Sequence, residues 1–427
     1  MRLLYTLVWW LALPLVLTRL WWRGRREPGY RQHIAERLSI YPGASFAGSK
    51  RVIWIHAVSV GETRAAEPLV DALLQSYPDH TILLTHMTPT GRATGQALFA
   101  TYAPRVVQCY LPYDIGWMAG RFLDYFAPRL CVLMETEVWP NTVAQCVRHQ
   151  VPIFLVNARL SARSLAKGKR MSALMSDAAE ALTCVAAQTD ADAGRLQQLG
   201  ARNVHVTGSI KFDVTPPGSA MVDGATLRRH FGVRPVLLCA STREGEEALI
   251  LDALGSVDLG EVLLLLVPRH PQRFNEVERM ALGRGIRTVR RTTLDGTPIA
   301  ADVQVLLGDT MGEMFAYYAA CDVAFIGGSL LPLGGQNMIE ACALGKPVLF
   351  GPHTFNFNLI ADDAVVAGAA LRVADAPGML REALRLLHAH AECTERGAKA
   401  LAFAEQHRGA AQRTMALLQT VLYDNYN

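Results

Sequence analysis

The 427-residue sequence predicts an α/β protein of two doubly wound parallel sheets preceded by one apolar helix. Three observations support that class. From residue 51 onward short apolar runs alternate with amphipathic stretches, as a parallel sheet covered on both faces requires. The alternation pauses and restarts across a Pro- and Gly-containing stretch near residue 214, and a chain of this length exceeds one ordinary core. The N-terminus reads differently, because residues 3–17 carry no charge.

With Arg19 snorkelling, that first segment extends through Trp21 and Trp22, roughly 20 residues or about 30 Å of helix, enough to cross a bilayer. Trp21 and Trp22 stand where an interfacial aromatic belt belongs, and Arg23, Arg25, Arg26 and Arg31 predict a cytoplasmic body. The apolar run continues into Thr18-Arg19-Leu20-Trp21-Trp22 with no small-residue cleavage site. This favours an uncleaved, single-pass anchor over a signal peptide or a membrane-surface helix. Residues 1–22 are therefore expected as the anchor and 23–50 as a juxtamembrane linker.

A first domain is expected over 51–213, with strands at 52–59, 81–86, 106–112, 130–135, 153–158, 184–189 and 204–209. Residues 214–230 read as an interdomain linker. A second domain over 231–405 has strands at 236–241, 262–268, 287–291, 303–308, 322–328 and 347–351. Helical periodicity over 379–390 and 398–422 closes the chain, with 406–427 as a C-terminal helix.

The net charge of +4 and pI near 8.6 do not call for nucleic acid as a partner, and no aromatic-plus-basic repeat argues for it. The eight cysteines, at 109, 131, 146, 184, 239, 321, 342 and 393, include no C-x-x-C pair and read as reduced residues, most of them in apolar runs. The histidines form no H-E-x-x-H pattern, so no metal site is expected.

The densest functional signal is the segment 326–358. An apolar run, 322–326, meets Gly327-Gly328, a turn that lets a phosphate approach the backbone. Asn337 reads as a helix N-cap before residues 338–344, so the positive helix end faces an anion. Glu340, one turn in, is placed to accept hydrogen bonds from two vicinal sugar hydroxyls. An ordinary strand, turn and helix explains Gly-Gly alone, but not the whole run with Glu340 and Gly345-Lys346-Pro347.

Ligands of such sheets bind beyond the carboxyl ends of the strands, and the residues there are chemically unusual. His56 to Glu62 ends in a Gly-Glu pair at an expected helix start, where Glu62 also suits the helix dipole. Met134 to Asn141 sets Glu135 and Glu137 directly after an apolar strand, and paired carboxylates can divide acid–base work. Lys211 emerges from 208–213. Further polar strand ends follow at 241–246, 267–271 and 308–313, and converging arginine and lysine suit a phosphate-bearing substrate. Arg159, Arg163, Lys167, Lys169 and Arg170 form a basic stretch that reads at least as well as a solvated helix face as it does as a contact for anionic lipid headgroups or a substrate's phosphates.

Taken together, HAVSVGE at 56–62, METEVWPN at 134–141, GSIKFD at 208–213, PRHPQR at 268–273, GDTMGEM at 308–314 and the run 327–357 resemble the 3-deoxy-D-manno-octulosonic acid (Kdo) transferase family. Many relatives carry histidine where this chain has Gln336 and proline where it has Ala341. The resemblance implies a GT-B fold, two Rossmann-like domains facing a cleft, and inverting transfer of Kdo from CMP-Kdo to lipid IVA at the inner membrane, with no cofactor. It further implies Glu62 as general base and transition-state stabilisation by Glu135, chosen over Glu137, and Lys211. For CMP binding it implies Pro268, Arg269, Met311, Gly312, Glu313, Asn337, Met338, Ile339 and Glu340. Another GT-B transferase using a nucleoside diphosphate sugar, or a non-catalytic nucleotide-binding membrane protein, are the competing readings.

Overall fold

The computed structural model describes residues 1–25, 27–43, 46, 51–170 and 172–424; Arg26 and much of the end of the 23–50 stretch lie outside the described residues. Two compact units emerge. Met1–Asp213 with Arg408–Asn427 forms the first, and Val214–His407 the second.

In the first unit the strands are β1 Arg51–His56, β2 His80–His86, β3 Val106–Tyr110, β4 Pro128–Met134, β5 Ile153–Ala158, β6 Cys184–Ala187 and β7 Val204–Val206. They form one parallel sheet in the order β3-β2-β1-β4-β5-β6-β7. Helices cover both faces. Ile53, Ile55, Val132 and Val156 pack under Leu69, Val70 and Leu73 of the Val60–Ser76 helix, while Trp54, Leu133 and Leu155 face Phe122 and Val143 on the other side. Strands buried on both faces explain the near-continuous apolar runs. The connections run outward from β1 to β3 and then return to β4, so the ends of β1 and β4 flank the point where a crevice opens in such sheets.

The second unit repeats the plan with β8 Val236–Thr242, β9 Leu263–Pro268, β10 Thr288–Arg290, β11 Val305–Leu307, β12 Val323–Ile326, β13 Val348–Phe350 and β14 Ala370–Arg372. Their parallel order is β10-β11-β9-β8-β12-β13-β14, which puts the switch point between β8 and β12. Both units are thus doubly wound and Rossmann-like.

Several boundaries differ from the sequence expectation. The stretch expected as a linker contains the helix Ala220–Phe231, packed so closely on Met314–Ala320 that a Cβ on Gly224 would lie 2.4 Å from the Ala319 side chain. Its glycine marks helix–helix contact and not a break. The strand β14, three residues long, is too short to leave a periodic signal. The expected helix over 398–422 divides into His390–Gln406 and Ala410–Asp424 at Gly409, whose φ of +90° a helix excludes. Ala410–Asp424 belongs to the first unit, where Met415, Leu418 and Leu422 pack beside Leu69 and Leu73, and Asp213 accepts hydrogen bonds from the Gly409 and Ala411 amides. The apolar N-terminal segment is a helix, Arg2–Arg23, but it does not stand clear of the body. Leu13, Val16, Leu17 and Leu20 pack with Tyr30, Tyr113, Ile115 and Met118 of the first unit.

Candidate functional site

In the first unit the acids gather at the switch point. Ser59 caps the Val60–Ser76 helix, accepting from the Glu62 amide, and the Glu62 carboxylate returns to accept from the Ser59 hydroxyl at 3.0 Å and the Val58 amide at 2.8 Å. This is a capping box set at the end of β1. Burial pushes the Glu62 carboxyl up to about 7, the Val58 hydrogen bond opposes the rise, and the nearby Glu137 and Glu135 carboxylates add to it. A carboxyl poised at neutral pH beside other acids has the chemistry of a general base. His56 of the same motif is fully buried, shares a hydrogen bond with Thr85 at 2.8 Å, and is driven by burial down to about 3, so it stays neutral.

Glu135 follows β4 in the left-handed region, at φ +56°, with its amide donating to the Val156 carbonyl. One carboxylate oxygen pairs with the Lys211 ammonium at 2.8 Å and the other with the Arg159 guanidinium at 3.2 Å. Glu135 therefore shares its charge between two cations and holds both in place. Glu137 has no such ion pair among the described residues; burial raises its pKa, Trp139 opposes the rise and the Glu135 carboxylate adds to it. Lys211 rides on the short turn Ile210–Asp213, whose first amide donates to Asn157 Oδ1 at 3.1 Å. Asn157, fully buried at φ +53°, thus links the end of β5 to the lysine-bearing turn. The sequence offers Arg159 only as part of a basic stretch and not as a partner of Glu135, and nothing in the sequence marks Asn157.

The second unit builds its switch point differently from expectation. Gly327 faces the end of β8, where a Cβ would lie 2.6 Å from Thr242 Cα, so its lack of a side chain serves sheet packing. The amides of Gly328, Ser329 and Leu330 all donate to the Glu246 carboxylate within 2.9 Å, as does the Arg243 amide. A fully buried protein carboxylate fills the turn that the sequence suggested for a phosphate. Nothing in the spacing of Glu244-Gly245-Glu246 distinguishes the inward glutamate from the outward one.

The residues that the resemblance implies for CMP stand at or after the ends of strands β9, β11 and β12 of the same sheet. Pro268 ends β9, and the Arg269 amide donates to the Thr242 carbonyl at 2.9 Å, fixing the arginine beside the end of β8. Met311 is exposed and Gly312 has φ +85°, a turn that presents backbone outward. Glu313 is already engaged by Arg291 at 3.1 Å, by Tyr317 at 3.1 Å and by the Thr310 hydroxyl. The N-cap of the short helix Ile339–Ala343 is Met338, one residue later than expected; Asn337 stands just before it, its side-chain oxygen accepting from the Ile339 amide at 3.0 Å and its side-chain amide donating to Glu340 at 3.2 Å. Glu340 is half-buried and thereby oriented. The side chains of Met338 and Ile339 are core, 2% and 0% exposed, which leaves only their backbone to meet a ligand.

Residues 32–214 match the family profile described as 3-Deoxy-D-manno-octulosonic-acid transferase (kdotransferase). The chain is 45% identical to the 3-deoxy-D-manno-octulosonic acid transferase of Bordetella pertussis over 98% of this chain and 99% of that one. Identity to the Haemophilus influenzae protein of the same name is 36%, over 99% of each. Among solved structures, a glycosyltransferase from Rickettsia africae, 11% identical, superposes with a TM-score of 0.60 over 87% of this chain and 99% of that one. Anabaena HepE in complex with UDP, 15% identical, superposes with a TM-score of 0.59 over 87% and 100%. These two likenesses concern the fold.

Proposed function

The chain belongs to the 3-deoxy-D-manno-octulosonic acid (Kdo) transferase family and is a glycosyltransferase of GT-B fold, and on that premise we propose that it transfers Kdo from CMP-Kdo to lipid IVA in lipopolysaccharide synthesis. The observation that carries the proposal is the Glu62 carboxyl, held by a capping box at the first switch point and poised at about 7. Glu62 removes the proton from an acceptor hydroxyl as its oxygen attacks the anomeric carbon. The bond to the CMP phosphate breaks with its electron pair leaving on phosphate, so one displacement inverts the centre and needs no covalent intermediate. The ion-paired Glu135, Lys211 and Arg159 supply fixed charge to the transition state in a site where the groups are already oriented.

Donor binding falls to the second unit. Glu340, oriented by Asn337, accepts the ribose hydroxyls, and Arg269 faces the phosphate. Pro268, Met311, Gly312, Glu313, Met338 and Ile339 complete the CMP site, the last two through backbone. The apolar helix Arg2–Arg23 holds the protein at the inner membrane, where its lipid acceptor resides. Mass spectrometry of lipid IVA incubated with the protein and CMP-Kdo tests the reading: Kdo adducts with stoichiometric CMP release are expected. Release of CMP without an adduct, or equal protection of the protein by UDP and CMP, would overturn it.

A further inference from the structure

The Arg2–Arg23 helix has two apolar faces, and only one is covered. Trp9, Leu13, Val16, Leu17 and Leu20 turn toward the body, where Trp9 lies 5.9 Å from the Tyr113 ring and 6.4 Å from Trp139. Near the N-terminal end Thr6 and the Asn141 side chain exchange hydrogen bonds at 3.0 and 3.2 Å, and Trp10 stacks on Trp117 at 6.2 Å. At the other end the Arg31 guanidinium donates twice to the Trp21 carbonyl, at 3.0 and 3.1 Å. From Thr6 to Trp21 the body clasps about 22 Å of helix axis. The opposite stripe, Leu3, Leu4, Leu7, Val8, Leu11 and Leu15, is exposed, 88% at Leu3 and 74% at Leu15.

A helix held in this way cannot cross a bilayer without taking its supports along. Tyr113, Ile115 and Trp139 would enter the hydrocarbon together with the buried Asp114 carboxylate, which accepts from the Asn141 and Thr142 amides. The exposed Arg148 on the neighbouring helix would follow. Intramembrane charge of that kind is strongly disfavoured. The distribution of arginines agrees. Arg2 and Arg148 line a cavity of about 150 Å³ with Thr6, Asn141 and Gln145 at the N-terminal end, and Arg19, Arg23, Arg25 and Arg31 stand toward the other. A spanning helix concentrates basic residues at its cytoplasmic end, whereas a helix lying in the interface keeps all of them at headgroup depth.

The geometry points to a monotopic attachment: the Arg2–Arg23 helix lies in the plane of one leaflet of an anionic bilayer, with its exposed leucine stripe, Trp22 and Trp117 at the acyl–headgroup boundary, and does not cross. This rests on the reading that the protein works at a membrane. It replaces the single-pass expectation. Trp139, in contact with Trp9, lies on the same segment as Glu135 and Glu137, so the lipid surface borders the acid-bearing loop and a lipid acceptor reaches it with its chains still in the leaflet.

The test uses the full chain bound to sealed vesicles of phosphatidylethanolamine and phosphatidylglycerol. Leu3→Cys, Leu11→Cys and Leu15→Cys are each labelled with an environment-sensitive thiol fluorophore, with the wild-type protein as background because seven native cysteines are buried. Nitroxide lipids quench at either headgroup or acyl-terminal depth. All three positions are expected to be quenched most by the shallow probe. Strongest quenching of Leu11→Cys by the deep probe, with Leu3→Cys protected from an impermeant thiol reagent outside, would establish a crossing and overturn the proposal. Vesicle binding without quenching at any position would overturn it while leaving membrane attachment intact; no vesicle binding at all would overturn both. Trp117→Glu is a second arm, expected to weaken vesicle binding roughly five-fold or more, a loss that a spanning anchor would not show.

Discussion

On the proposed reading Glu62 joins two roles that the sequence leaves as alternatives. It completes a capping box, and that same fixation buries its carboxyl beside two other acids and lifts its pKa to about 7. A base acts only when ionised, so kcat/KM is expected to fall about tenfold per pH unit below 7 and to level off above it. The stability contribution has the opposite sense: with a folded pKa raised above the unfolded one, it is fully present below the ordinary carboxylate range and is lost as pH rises through about 7. Glu62→Gln should lower turnover by about 10²- to 10⁴-fold with CMP affinity retained, read by product formation and by calorimetry on the same preparation. Glu340→Ala should do the reverse, weakening CMP binding by about 10- to 100-fold through loss of charged hydrogen bonds to the ribose. Unchanged CMP affinity in a folded Glu340→Ala protein would remove that assignment. Both glutamates stand out in the sequence by their neighbours, a glycine before one and an asparagine three residues before the other. Arg159 was not, because pairing with Glu135 is a fact of tertiary structure and its sequence neighbours Arg163 and Lys167 suggest only a basic surface.

At the level of elements, the central strands were readable because burial on both faces leaves unbroken apolar runs, whereas the short edge strand β14 and the turns between strands were not. The Gly327-Gly328 turn has the composition of a phosphate loop, yet its amides close on Glu246, and Gly327 is needed by the approach of β8. Glu246 ties the end of β8 to the start of the β12 loop across the switch point, and that loop leads to Asn337 and Glu340. Substituting Glu246→Gln leaves four amide donors with a weaker, neutral acceptor and one oxygen replaced by a donor. A cost of about 3–5 kcal/mol is expected in urea unfolding. Faster hydrogen exchange at Gly328, Ser329 and Leu330 should accompany it, together with weaker CMP binding, even though Glu246 is buried away from solvent. Unchanged exchange at those three amides would mean the loop has another anchor.

For the whole molecule, the N-terminal helix is part of the first unit, and on the proposed reading it is also the membrane face of that unit. Its length and hydropathy were plain in the sequence; its docking was not, because the partners Tyr30, Tyr113, Ile115 and Met118 lie on segments whose own patterns give no sign of an uncovered patch. A separable anchor could be deleted and leave a well-behaved soluble enzyme. Removing residues 1–22 from this chain instead strips the cover from Tyr113, Ile115, Met118 and Trp139, a contiguous apolar surface of the kind that drives association. The truncated protein should therefore lose most of its vesicle binding and yet need detergent to remain monomeric, as light scattering would reveal. Its turnover on acceptor dispersed in detergent should stay within about tenfold of the full chain, since Glu62, Glu135 and Lys211 keep their local supports, while transfer to acceptor embedded in vesicles should fall further. Equal loss in both assays would tie the helix to the integrity of the acid-bearing loop through Trp139, and equal retention in both would separate membrane attachment from catalysis altogether.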